Sequence, residues 1–236
     1  MNKVVPQHVV IIPDGNRRWA RKKGLRSWAG HREGARRFKE LIEEIDRLEI
    51  PCFSFWALSI DNIKNRPRKE IEYLIGLFNE YLNKLLKKKE IHKKKTRISF
   101  LGSWKKFFPK KTCRLMEKMM KATENYNKFF LNLFVAYNGT DELLNAVNQI
   151  KKQIIRNPNL KISPELIKEN LFTKDLPPVD FLIRTGGEPH LSAGFMMWDI
   201  ADSQFYFTKT YFPDFGKDEL HKAIKEYQKR ERRLGG

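Results

Sequence analysis

A chain of 236 residues is long enough for one α/β domain with its own core. Its 41% hydrophobic and 12% aromatic content excludes a disordered chain, and no run of ~20 apolar residues is present to span a bilayer. The formal net charge of +19 calls for an anionic partner, whether nucleic acid, membrane surface or phosphorylated metabolite, and two cysteines without metal-ligand spacing fit a reduced, cytoplasmic protein with no signal peptide.

In chain order, residues 9–12 form a run of four apolar β-branched side chains, stopped by Pro13 and Gly15. Such a run suits a strand buried on both faces. A basic segment containing Trp19 follows. Ala35, Phe38, Leu41, Ile42, Ile45 and Leu48 recur at helical spacing and predict a helix over 30–48. After Pro51, residues 52–59 read as a strand and 60–66 as a polar loop. Pro67 opens a long helix to about residue 89, with a stripe that includes Leu74, Phe78, Leu82 and Leu85. Strands are expected at 97–102, 129–137, 179–183 and 204–207. Helices are expected at 111–127, at 140–155, after the Ser163-Pro164 cap, and at 217–233. Alternating strands and helices predict an α/β fold: one domain over 1–236, with a largely parallel six-stranded sheet flanked by helices. The usual phosphate loops (GxxxxGK[ST], GxGxxG), the GxSxG elbow, HExxH and CxxC are all absent.

Three polar clusters each follow a strand. In open α/β sheets, ligands bind beyond the carboxyl ends of the strands. The first cluster is Asp14, Gly15, Asn16, Arg17, Arg18 and Trp19, with His31 at the start of the next helix. The second runs Ser59, Ile60, Asp61, Asn62, Ile63 to Arg66. The third starts at Arg184 and passes Gly186-Gly187 to His190, Leu191 and Ser192. One carboxylate among many cations makes a poor all-protein metal cage. It suits a diphosphate instead, with arginines on the oxygens and one Asp holding a Mg²⁺ that the phosphates also ligate. Each piece alone has a plainer role: Asp14-Gly15 as a turn, Asp61 and Asn62 as helix caps, Arg184 in a structural ion pair. Three clusters at three strand ends favour a site.

These stretches resemble the cis-prenyltransferases, also called isoprenyl transferases or undecaprenyl diphosphate synthases. The resemblance covers nearly the whole chain, from His8 onward. It rests on H-V-V-I-I-P-D-G-N-R-R-W-A at the start, G-H-R-E-G-A at Gly30, D-F-L-I-R-T-G-G-E at Asp180 and the terminal R-E-R-R-L-G-G. The DDxxD of the trans class is absent. The resemblance implies condensation of isopentenyl diphosphate with an allylic diphosphate such as farnesyl diphosphate, repeated to build a polyprenyl diphosphate, with Mg²⁺ and in a homodimer.

Carried over by position, the resemblance makes Asp14 the metal-placing aspartate and Asn62 the proton acceptor or its positioning group. Gly15 to Trp19 and His31 become the allylic-diphosphate loop, and Ser59 and Arg66 substrate contacts that Glu70 helps to fix. Arg184 and Ser192 match isopentenyl-diphosphate ligands, Ala57 and Phe78 line the tunnel for the growing chain, and residues 233–235 reach the partner subunit. Some positions depart from the pattern. Asp61 stands for a glutamate and Ile63 for a tryptophan, with one extra residue in that loop. Ser27 stands for an arginine, with Arg26, one residue earlier, as its candidate replacement, and His190 for another arginine. Gln204 falls where an acidic metal ligand is usual, with Asp199 and Asp202 near in sequence.

A non-catalytic partner subunit is the alternative, although such subunits tend to lose the aspartate loop that is intact here. A nucleic-acid module would rest on charge alone, so no nucleic acid is expected. The same charge predicts peripheral contact with an anionic membrane, where a polyprenyl product must go.

Overall fold

The computed structural model describes residues 5–86 and 89–230. The elements in order are β1 (His8–Ile12), α1 (Asn16–Lys22), α2 (Ser27–Arg47), β2 (Cys52–Leu58), α3 (Ile60–Asn65), α4 (Arg68–Leu86), α5 (Lys89–Lys93), β3 (Thr96–Leu101) and α6 (Trp104–Phe107). They continue as α7 (Lys110–Thr123), β4 (Phe129–Val135), α8 (Gly139–Arg156), α9 (Pro164–Asn170), β5 (Phe181–Arg184), β6 (Gln204–Phe207) and α10 (Lys217–Lys229). Among the described residues there is one six-stranded sheet, in the order β3-β4-β2-β1-β5-β6, and every pairing in it is parallel.

The apolar run at the start becomes β1, near the middle of that sheet and buried along its whole length. Alternate side chains of a strand point to opposite faces. Val9 and Ile11 accordingly join the larger core cluster, with Leu41, Phe53 and Leu131, while Val10 and Ile12 join the second, with Trp56, Phe134 and Phe195. From β1 the chain builds β2, β3 and β4 to one side and later β5 and β6 to the other. That reversal is a topological switch point, and it opens the crevice at the carboxyl end of β1.

Two expectations need correction. Residues 60–66 are not simply a loop, because they contain α3. The Ser59 hydroxyl accepts the Asn62 N–H at 2.9 Å as its cap, and the helix stops at Arg66 because a residue before proline is driven to extended backbone. The basic segment after Gly15 is also helical, as α1. It lacks an apolar stripe and buries only Trp19 and Ala20, so periodicity could not reveal it. The end of the 217–233 helix and the 233–235 motif lie outside the described residues. No helix among the described residues is long and apolar enough to cross a membrane.

Candidate active site

The tips of β1 and β5 are tied together at Asp14. The Asp14 N–H donates to the Thr185 hydroxyl at 2.9 Å, and that hydroxyl lies 2.8 Å from the Asp14 carbonyl, to which it donates. Gly15 then turns the chain with φ 100°, where a Cβ would sit 2.5 Å from the Tyr211 ring, so only glycine suits the bend. The carboxylate of Asp14 is one-third exposed. It accepts from Gly15 N–H at 2.6 Å, faces Arg18 at 3.1 Å and faces Arg184 at 3.2 Å.

Arg184 is buried at the end of β5 and donates to the His190 carbonyl and, at 2.9 Å, to the Ser192 hydroxyl. Arg18 also meets Glu188 at 3.2 Å. The first and third clusters therefore share one set of guanidinium groups.

The second cluster joins through a chain of polar contacts. The Asn62 side-chain Oδ1 accepts from the Arg66 guanidinium at 2.8 Å, Arg66 lies 3.6 Å from Glu70, and Glu70 meets His31 at 2.9 Å and Arg17 at 3.8 Å. Burial lowers the pKa of His31, and the cation of Arg66 adds to this against the pull of Glu70. The ring is thus neutral near pH 7 and can donate Nε2–H to the carboxylate. Burial pushes Glu70 upward, but His31, Arg17 and Arg66 outweigh it and hold the carboxyl below its ordinary range. Arg66 is lowered by burial, with Glu70 opposing.

Asp14, Asn16, His31, Asn62, Arg184 and Ser192 all line one cavity of about 1110 Å³. The same cavity passes Ala57, Phe78, Leu82 and Leu133 and reaches Thr96 at the first residue of β3. It therefore runs the length of the strands, roughly 20 Å, from a charged rim into apolar walls. Ala57, exposed within an otherwise buried strand, faces it.

Other expected positions are not among the residues lining this cavity. Ile60 is buried in the main core, and Ile63 packs against that core. Leu191 packs on the second cluster. His190 is exposed, with its Nε2 3.4 Å from the Ser192 hydroxyl. Trp19 donates to Asp214 at 2.7 Å and braces α1. Ser27 is the first residue of α2. Gln204 begins β6 beside Phe181, whereas Phe207 pairs with Arg184 at the rim. It sits about 10 Å down the strand from the tip, so the structure does not bring it to Asp14 within one chain. Asp199 lies at that lower end too, where its backbone carbonyl accepts from the Val179 N–H at 2.9 Å and its carboxylate pairs with Lys168.

Among the described residues no cluster of three His, Cys, Asp or Glu forms a metal cage. A lone, partly exposed carboxylate ringed by arginines fits a magnesium ion shared with diphosphate oxygens.

Thr185, Gly30 and Gly34 were not singled out by sequence reasoning. Cβ atoms on the two glycines would stand 2.0 Å from the Asn16 carbonyl oxygen and 2.4 Å from its side-chain oxygen, so they are what lets α2 press against the Asp14 loop. The i, i+4 glycine pair in G-H-R-E-G-A was the available signal.

A parallel sheet with a diphosphate-type rim and an apolar shaft defines a class that joins charged head groups to long apolar tails, and comparison with known proteins agrees. A family model described as "Putative undecaprenyl diphosphate synthase" matches residues 12–235. The tritrans,polycis-undecaprenyl-diphosphate synthase (geranylgeranyl-diphosphate specific) of Pyrococcus furiosus is 37% identical over 98% of this chain and 88% of its own length. An isoprenyl transferase of Fusobacterium nucleatum is 37% identical over 100% of this chain and 98% of its own. The crystal structure of lavandulyl diphosphate synthase from Lavandula x intermedia, in complex with dimethylallyl diphosphate, superposes with a TM-score of 0.92 at 29% identity, covering 100% of both chains. The chain belongs to the undecaprenyl diphosphate synthase family, the cis class of prenyltransferases.

Proposed function

We propose that this protein condenses isopentenyl diphosphate with an allylic diphosphate, and repeats the step to give a polyprenyl diphosphate. The observation that carries the reading is that Asp14, Asn62 and Arg184, from the ends of three neighbouring strands, line one cavity continuous with apolar walls. Breaking the allylic C–O bond puts charge on a leaving diphosphate. Arg18, 3.1 Å from Asp14, and Arg17 on the same helix would meet such a group, and fixed cations stabilise charge as it develops. Arg184 and Ser192 would hold the second diphosphate. A magnesium ion bound at Asp14 would supply further charge neutralisation to the diphosphate. The proton lost after bond formation goes to an acceptor near Asn62. An amide is a weak base, so Asn62 orients while a diphosphate oxygen takes the proton. Ala57, Phe78 and Leu133 exclude water from the cationic centre.

The protein is read as a cytoplasmic homodimer. On α8, Leu144, Val147 and Ile155 are 62%, 61% and 71% exposed, and Ile162 beside them is 62% exposed, an apolar face that a second copy would cover. Sedimentation equilibrium is expected to give twice the chain mass, and Val147→Glu the mass of one chain.

The activity test is incubation of purified protein with radiolabelled isopentenyl diphosphate, Mg²⁺ and either farnesyl or geranylgeranyl diphosphate, followed by reverse-phase sizing. Elongation is expected, with loss of turnover by about 100-fold or more in Asp14→Ala and on chelation of the metal. No elongation by the protein alone would instead favour the non-catalytic subunit.

A further inference from the structure

Between α1 and α2 the chain makes a turn that the proposed chemistry does not use. Arg21, Lys22, Lys23, Gly24, Leu25 and Arg26 are consecutive exposed residues. Leu25 is 48% and Trp28 39% exposed. From Gly15 to Arg32 the sequence holds no carboxylate; the first is Glu33. Among the described residues, Arg21, Lys22, Lys23 and Arg26 form no salt bridge within 4 Å; Lys23 lies over the Trp19 ring at 4.2 Å and is felt at longer range by Glu33. The Trp28 ring is held between the Arg26 guanidinium, 5.1 Å from its centroid, and the Tyr73 ring at 6.2 Å. Arg32 fixes Tyr73 in turn through a 3.2 Å hydrogen bond to its hydroxyl. The tryptophan is thus oriented at the surface by α4 rather than folded into the core.

We propose that this turn docks the protein on an anionic lipid bilayer, with Leu25 and Trp28 entering the interface and Arg21, Lys22, Lys23 and Arg26 meeting the headgroups. A tryptophan beside an aliphatic side chain, flanked by exposed cations that form no close salt bridge, matches the chemistry of that boundary: an amphipathic ring at headgroup level and positive charge facing anionic lipid. The position fits as well. The long cavity is bordered by exposed side chains of α2 and α4, Arg36, Lys39 and Lys84, so it reaches the surface along the same pair of helices that carry Trp28 and Tyr73. A lipid product leaving between those helices would emerge on the docked side. The reason for docking rests on the proposed prenyl reaction; the docking surface does not.

The test reads binding without turnover. Full-length protein is sedimented with phosphatidylcholine vesicles and with vesicles of the same lipid carrying about one-third phosphatidylglycerol. Binding to the anionic vesicles only, weakening as salt is raised, is the expected result. Leu25→Ser with Trp28→Ser should reduce it by about tenfold, and so should Lys22→Glu with Lys23→Glu, which touches only exposed side chains. Vesicles should shift the tryptophan emission of the native chain to the blue, and Trp28→Phe should abolish that shift. Equal binding to neutral vesicles, undiminished binding by both double variants, or a preference for a short DNA duplex over vesicles at the same salt would overturn the proposal. Absent prenyl turnover with intact vesicle binding would overturn the activity and leave the docking surface standing.

Discussion

At the residue scale, Thr185 does more than its place in the R-T-G-G-E run indicates. One buried hydroxyl accepts from the Asp14 N–H and donates to the Asp14 carbonyl, so the aspartate is held from both sides of its own backbone. Thr185→Val keeps the shape but removes one partner from each group, leaving the Asp14 N–H to the Ile12 carbonyl and the Asp14 carbonyl to the Phe212 N–H, at a cost of about 1 kcal/mol per bond lost. We expect kcat to fall more than the melting temperature alone explains, with KM for the allylic diphosphate less affected. Thr185→Ser, which keeps the hydroxyl, should restore most of the rate. Asp14, Asn62 and Arg184 could be picked out from the sequence because each falls at or just after a strand end, and the structure brings all three to one cavity. Ile60 and Ile63 share a segment with Asn62, but the helix turns Ile60 into the core and packs Ile63 against it, which a polar segment does not display in sequence. Gln204 was assigned by position in a motif, and strand register, which sequence does not display, carries it away from the rim.

At the element scale, the fit of α2 against the Asp14 loop depends on two absent side chains. Gly30 and Gly34 lie one turn apart on the face that meets Asn16. In Gly30→Ala the clash is with a backbone carbonyl, which cannot swing aside; in Gly34→Ala it is with a side-chain oxygen, which can. Overpacking of this kind costs about 1–3 kcal/mol. Chemical denaturation should show Gly30→Ala as the more destabilised, and its turnover should fall as the loop shifts. The elements with strong periodicity, α2, α4 and the buried strands, were readable because burial on one face writes itself into spacing. The helix α1 was not, since it buries little and is held by Trp19 bonding to Asp214, a contact nearly the whole chain away.

For the molecule as a whole, the sheet is pinned at the end opposite the site by His8. Its Nδ1 meets the Pro177 carbonyl at 2.9 Å and its Nε2 the Ser54 hydroxyl at 2.8 Å, while Asn132 reaches the same hydroxyl at 3.3 Å. Three strands and the approach to a fourth are linked through one imidazole. Burial lowers the pKa of His8, with the bond to the Pro177 carbonyl opposing, and His31 is lowered in the same direction. The folded protein therefore binds fewer protons at these rings than the unfolded chain does. Stability is full above the ordinary histidine value of ~6.5 and declines as pH falls below it. Glu142, pushed up by burial, works against this trend. Melting temperatures should drop between pH 7 and pH 5.5, and His8→Gln should flatten the slope while lowering the plateau. An equal slope in the variant would show that the imidazole is not its source.

The contact between Asp14 and Arg184 has a consequence for how ligands load at the rim. Each group helps to neutralise the other, so an arriving anion that takes Arg184 leaves the carboxylate to Arg18 alone, and an arriving cation that takes the carboxylate leaves Arg184 without its counter-charge. Only a ligand bringing both signs at once avoids a bare charge. Metal and pyrophosphate should consequently load as a pair, each raising the affinity of the other, and a monophosphate arriving alone should be a poor competitor.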